Sequence, residues 1–114
     1  MFILPNGLFG RTITLYRKEK SGIVRQVVDN CYLERKDVAE TDLSGLRRER
    51  KFLLILPGDA RIYPGDRVFE GIGPELGLDQ WGGFIPVSVP ELMEVAFAKA
   101  CYVGDEVSHM EAGR

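Results

Sequence analysis

The side chains in this chain that could do chemistry are a pair of aspartates, two cysteines, a single histidine and a cluster of arginines. Asp59 and Asp66 stand seven residues apart and each closes a Pro-Gly-Asp triplet, Pro57-Gly58-Asp59 and Pro64-Gly65-Asp66. Paired carboxylates suggest general acid–base work. Pro-Gly, however, is turn chemistry: Pro fixes φ, Gly accepts a positive φ, and the Asp that follows accepts hydrogen bonds from nearby backbone N–H groups. With no histidine or metal-ligand set beside them in the sequence, both aspartates read as turn-formers.

Cys31 and Cys101 each precede a tyrosine inside an apolar run, and no CxxC pair is present. Without an export signal they are expected as reduced, buried thiols and not as a disulfide. His109 is the single histidine, so a zinc site has too few soft ligands by spacing. No serine, cysteine or carboxylate is spaced with it as a triad requires, and a structural role is expected for it. No catalytic residue, cofactor site or metal site is expected, and an enzyme has no supporting constellation.

Arg47, Arg48, Arg50 and Lys51 form a basic cluster at the end of a polar stretch, Arg35 to Lys51. Glu40, Asp42 and Glu49 dilute it, and no aromatic residue interleaves it for base stacking. A solvated loop is the plainer reading and a phosphate-facing loop the functional one. Gly71 to Phe84 holds five glycines and the only tryptophan, Trp81. GxG occurs there without the full dinucleotide fingerprint, so a phosphate cradle is not expected. Trp81 either folds back on the domain or is presented to a partner, where tryptophan is enriched as an anchor.

The elements that must position these residues read as strands. With 45% hydrophobic and 28% charged residues, the chain has the composition of one globular domain. The apolar start, Met1 to Leu4, stops at Pro5-Asn6-Gly7 and lacks the basic flank of a signal peptide. No run reaches membrane-spanning length, and a cytoplasmic protein is expected. The net charge of −2 is split: residues 1–57 hold 11 Lys/Arg against 7 Asp/Glu (+4), residues 58–114 hold 4 against 10 (−6). A solvated mixed surface explains this, as does a subunit meeting copies of itself through faces of opposite sign.

In order, residues 1–10 form an apolar arm in which Phe2, Ile3 and Leu4 need a surface to pack on. Arg11 to Arg17 alternates Thr12, Thr14 and Tyr16 with Ile13 and Leu15, a strand pattern. Ile23 to Glu34 is a long strand whose parity switches near Asp29-Asn30, which predicts a bulge. Phe52 to Leu56 is a continuous apolar run expected to be buried on both faces. The two Pro-Gly-Asp turns then connect it to a short strand, Arg67 to Ile72, as one hairpin. Glu91 to Val103 carries both patterns: Leu92, Val95, Ala96, Lys99 and Ala100 share a helical face, whereas Met93, Val95, Phe97, Cys101 and Val103 share a strand face. The helical pattern is slightly the stronger. Gly104-Asp105 turns the chain into a last strand, Glu106 to Glu111. The fold class is all-β, a small antiparallel β-barrel or sandwich over residues 11–114 with long loops, leaving a short helix near 91–100 open.

The segments ITLYRK, CYLERKD, LLILPGDARIYPGDRVFEGI and SHMEAGR, in that order, resemble the small β-barrel head-closure ("stopper") and minor capsid proteins of tailed-phage and prophage head–tail joining modules. Met110 stands where that pattern often has an aromatic, and Met1 to Gly10 has no clear counterpart. The resemblance implies strand, not helix, for residues 91–100. It implies a non-enzymatic ring subunit that closes the DNA channel below the portal and docks the tail. The partners would be the portal or adaptor ring, tail-terminator or tail proteins, further copies of the chain and non-specifically held double-stranded DNA, with no membrane. The location would be the virion, and the host cytoplasm before assembly. The loop between the second and third strands would face the channel with Arg47, Arg48 and Arg50, while Phe2, Ile3, Leu4 and Trp81 would touch neighbouring subunits. Alternatives are another connector or tail-terminator subunit, or a small barrel binding module unrelated to phage.

Overall fold

The computed structural model describes residues 8–42, 45–58 and 60–114, with backbone alone at 8–9, 37–42 and 45–50. Phe2, Ile3, Leu4 and Asp59 lie outside the described residues. Among the described residues, seven strands form one antiparallel sheet: β1 (Leu8–Glu19), β2 (Gly22–Asp42), β3 (Gly45–Pro57), β4 (Arg67–Glu70), β5 (Leu92–Glu94), β6 (Phe97–Val103) and β7 (Glu106–Gly113). A 3₁₀ turn spans Leu78–Gly83. The all-β fold class holds, and residues 91–100 take the strand alternative.

The sheet order is β5-β4-β1-β2-β3-β7-β6. The edge strands β5 and β6 are consecutive in sequence, so the curled sheet is drawn together where the chain passes between them. Val95 N–H donates to Asp66 O at 2.9 Å on one side, and Ala96 N–H donates to Gly113 O at 2.8 Å on the other. Inside the curl lie Ile13, Leu15, Val28, Cys31, Leu33, Leu54, Leu56, Val68, Met93, Val95 and Ala112, one contiguous core.

The bulge read from the parity switch is present. Arg11 pairs with Cys31 and Ile13 with Val28, so β2 carries one extra residue at Asp29-Asn30, and Asn30 takes a positive φ of 59°. A compensating extra residue lies in β1 between Leu8↔Leu33 and Arg11↔Cys31, where Gly10 has φ 69°. Such bulges bend strands sharply, as closing a sheet of seven requires.

The stretch between the two Pro-Gly-Asp triplets is not a hairpin. β3 pairs with β2 and β7, and β4 pairs with β1 and β5, so Gly58 to Asp66 is a crossover that passes from one part of the sheet to another. The hairpin reading fails because both flanking strands find better partners elsewhere. The inward residues of the crossover, Ala60 and Ile62, are buried in the core. Its turn chemistry holds: Asp66 N–H donates to Tyr63 O at 3.1 Å around Pro64-Gly65, with Gly65 at φ 92°.

Residues 35–42 and 45–51 are likewise strand and not loop. β2 and β3 continue as a ladder to Asp42↔Gly45, with Asp37 opposite Arg50 and Glu40 opposite Arg47. Acidic and basic residues at paired register positions suit a polar segment to strand geometry. In β3 itself, Phe52, Leu54 and Leu56 are buried, while Leu53 and Ile55 are only half-buried. In β6, Ala98 packs on the core and Phe97 and Lys99 are exposed, the reverse of the expected strand face, because the bend at Val95-Ala96 shifts the alternation.

Candidate functional site

Four surfaces carry polar or apolar groups that packing alone does not use up. The first is the β2–β3 ribbon. β1 last meets β2 at Leu33, and β7 last meets β3 at Leu53. From Lys36↔Lys51 to Asp42↔Gly45 no third strand pairs with either one among the described residues. At about 3.4 Å per residue, those register pairs extend roughly 20 Å from the barrel. The radius of gyration, 15.0 Å, exceeds the roughly 13 Å of a compact chain of this length accordingly. Arg47 and Arg50 lie opposite acidic positions and Arg48 lies opposite Ala39; their side chains are outside the described residues. At the base of the ribbon, exposed Lys36 and Lys51 are direct partners. Like charges facing each other are unfavourable without an anion, and this pair was not singled out from sequence.

The second surface is the corner around Asp66. Its carboxylate accepts from Arg17 Nε at 3.0 Å, Arg17 Nη2 at 2.9 Å and Tyr63 N–H at 2.9 Å. Asp66 is 3% exposed, a structural carboxylate as its turn position implied. The Arg17 guanidinium also lies over the Tyr63 ring at 4.4 Å. Trp81 takes the folded-back alternative. It is half-buried against the cluster of Tyr16, Phe84 and Leu92, with Arg67 stacked 3.7 Å from its ring centroid. Arg67 Nη1 donates to the carbonyls of Trp81 and Phe84, and its buried Nε has no partner among the described residues. Burial pushes the Arg67 pKa down, against the opposing charge of Glu94. Arg17, Tyr63, Asp66 and Trp81 rim an open concavity of about 350 Å³.

The glycine-rich segment is held on the outer side of β1. Thr14 Oγ1 donates to Gly71 O at 2.8 Å and accepts from Gly73 N–H at 2.9 Å, and Tyr16 Oη donates to Pro74 O at 2.6 Å. Those bonds explain why the polar parity of β1 is as buried as its apolar one. They also make this segment a cover for the sheet and not a phosphate cradle.

The third surface is a mainly apolar groove of about 560 Å³ between the crossover and the β6–β7 hairpin, lined by Ile62, Tyr63, Ala100, Tyr102, Val107 and Met110 together with Arg61. Tyr63 and Tyr102 are exposed there by 49% and 64%, and the neighbouring Val103 by 72%.

The fourth is the outer face of that hairpin. Cys101 pairs with His109 and Lys99 with Glu111, so four functional side chains share one block. One ligand atom each from Cys101, His109 and Glu111 lies within 4.8 Å of the other two. His109 Nε2 is 3.4 Å from Glu111 Oε1, and Lys99 Nζ is 3.3 Å from Glu111 Oε2. Burial pushes the Glu111 carboxyl up, but hydrogen bonds from Lys99 and His109 outweigh it and hold the group below its ordinary value. Sequence spacing kept Cys101 and His109 apart, and strand pairing brings them together. Cys31, by contrast, is fully buried in the core, and burial, reinforced by Asp29, pushes its thiol up to about 12.

Among the described residues, no helix is long and apolar enough to cross a membrane. No family model, curated protein or solved structure matches the chain.

Proposed function

We propose that this chain is a structural, non-catalytic subunit of a phage or prophage head–tail connector, assembling as a ring on the portal or its adaptor and closing the DNA channel. The observation that carries this reading is the β2–β3 ribbon, a two-stranded arm that leaves the barrel and pairs with no third strand among the described residues. None of the described core residues lies between Lys36 and Lys51, so we place the use of this arm outside the subunit. Its base carries the exposed Lys36–Lys51 pair, and its returning strand carries Arg47, Arg48 and Arg50. A ring of such arms supplies a collar of cations toward a polyanion held without sequence preference. The exposed Tyr102 and Val103 and the groove beside them offer apolar surface for the neighbouring subunit.

Two measurements test it. Negative-stain imaging of the chain mixed with the cognate portal is expected to show an added ring; no ring would favour a small barrel binding module instead. Replacing Arg47, Arg48 and Arg50 with Gln is expected to let filled heads leak DNA. Heads that retain DNA as well as wild type would remove the channel role while leaving ring assembly to be judged by imaging.

A further inference from the structure

We infer that Cys101, His109 and Glu111 form a binding site for a borderline divalent cation of the Zn²⁺ class on the outer face of the β6–β7 hairpin. The inference is independent of the connector reading. Three properties of the hairpin support it.

The first is donor chemistry. A thiolate, an imidazole and a carboxylate are the three donor types zinc takes from proteins, and a sulfur–nitrogen set disfavours Mg²⁺ and Ca²⁺. The second is backbone preorganisation. Cys101 and His109 are direct cross-strand partners, and Glu111 follows His109 by two residues on the same face. The ligands are thus carried by two hydrogen-bonded strands and not by loops. The third is reach. Bonds of 2.0–2.3 Å to one tetrahedral ion put ligand atoms about 3.3–3.7 Å apart. The three atoms here lie within 4.8 Å of one another, and His109 Nε2 and Glu111 Oε1 are already 3.4 Å apart. Rotation of half-exposed side chains closes the remainder.

The surroundings sharpen the geometry. Ser108 Oγ lies 3.4 Å from His109 Nδ1, leaving Nε2 toward Glu111 and the ion. Lys99 holds Glu111 Oε2, so Oε1 is the oxygen offered to a metal. Binding takes Cys101 as the thiolate and releases its proton to buffer, so the ion, thiolate and carboxylate together are neutral. Lys99 then adds one positive charge beside a dication and weakens the site while positioning its carboxylate. Three protein ligands leave a fourth position facing solvent, open to water or to a donor from a partner.

The test uses the full, reduced chain and Co²⁺ as a spectroscopic probe, with Zn²⁺ as competitor. The expected result is one equivalent of Co²⁺ giving a thiolate-to-metal charge-transfer band that Zn²⁺ displaces. Cys101→Ser is expected to abolish that band, His109→Ala to weaken binding by more than about 100-fold, beyond the loss typical of an outer-shell change, and Cys31→Ser to leave it unchanged. Lys99→Met is expected to bind more tightly than wild type. On the unmutated protein, Zn²⁺ should protect Cys101 from a thiol reagent. Absence of the band at one equivalent, its persistence in Cys101→Ser, or equal labelling of Cys101 with and without Zn²⁺ would each overturn the site.

Discussion

Arg17 and Asp66, 49 residues apart in sequence, meet through two parallel contacts, Nε to Oδ1 at 3.0 Å and Nη2 to Oδ2 at 2.9 Å. The pair ties the middle of the sheet to the turn that ends the crossover. The same carboxylate takes the Tyr63 N–H, so three donors depend on one nearly buried side chain.

Asp66→Ala leaves Arg17 Nε and the Tyr63 N–H unmatched and Arg17 Nη2 with only Arg61 O at 3.4 Å. An intact buried pair broken on one side costs about 3–5 kcal/mol. Arg17 keeps 29% of its side chain in solvent, so the expected loss is discounted to about 2 kcal/mol. Asp66→Asn keeps an acceptor for Tyr63 and is expected to lose about half as much. Urea unfolding followed by the fluorescence of Trp81, the only tryptophan, measures both. A loss below about 0.5 kcal/mol for Asp66→Ala, the scale of an ordinary surface change, would mean that the corner does not stabilise the crossover.

The bulge offers a backbone test. Asn30 holds φ 59°, a conformation that asparagine tolerates and β-branched residues do not. Asn30→Gly is expected to unfold within about 0.5 kcal/mol of wild type, and Asn30→Val to lose about 1–2 kcal/mol. Equal stability of the two variants would show that the strand relaxes by shifting register.

What was legible in the sequence is local. The positive φ of Gly65 follows from Pro-Gly, and the extra residue at Asp29-Asn30 follows from the switch in alternation, because turns and bulges are set by a few neighbouring residues. Pairing partners are not set that way. β3 and β4 are close in sequence, yet β4 joins β1 because Thr14 and Tyr16 recruit the glycine-rich segment to that side. The ribbon was hidden by its composition, since acidic and basic residues at paired register positions read along one strand like a solvated loop. The Cys101–His109 pairing was hidden by one residue. Counting back from Gly104-Asp105 through Tyr102↔Val107 puts Cys101 opposite Ser108, and only the bulge in the hairpin moves His109 into place.

The two thiols should separate cleanly. Cys31 is fully buried with its pKa pushed up to about 12, whereas Cys101 is only half-buried. A native chain at pH 8 is expected to release one equivalent of chromophore from a disulfide reagent quickly, and the second only after denaturant is added. The same shift predicts alkaline weakness. Above the ordinary thiol value the unfolded chain ionises Cys31 and the folded chain does not. Its contribution to stability is therefore complete below about pH 9, declines as pH rises through 12 and is absent beyond. Cys31→Ala should flatten the alkaline limb of a stability-against-pH curve, whatever its cost at neutral pH. An unchanged slope between pH 9 and 11 would place the alkaline sensitivity elsewhere.

Gly73 lies against Tyr16 where the glycine-rich cover meets the sheet. A Cβ at Gly73 would stand 2.1 Å from Tyr16 Oη and 3.1 Å from the Phe69 ring. Tyr16 is fully buried and its hydroxyl is held by Pro74 O, so the ring has no free rotamer to yield. Gly73→Ala is expected to cost about 2–3 kcal/mol through overpacking. Tyr16→Phe removes one hydrogen bond and is expected to cost about 1 kcal/mol. Because the clash is with the hydroxyl itself, the losses should not add: Gly73→Ala on the Tyr16→Phe background should cost at least about 1 kcal/mol less than on wild type, a coupling typical of residues in contact. Simple additivity in that cycle would mean that the cover moves away as a unit and that Thr14, not Tyr16, holds it to the barrel.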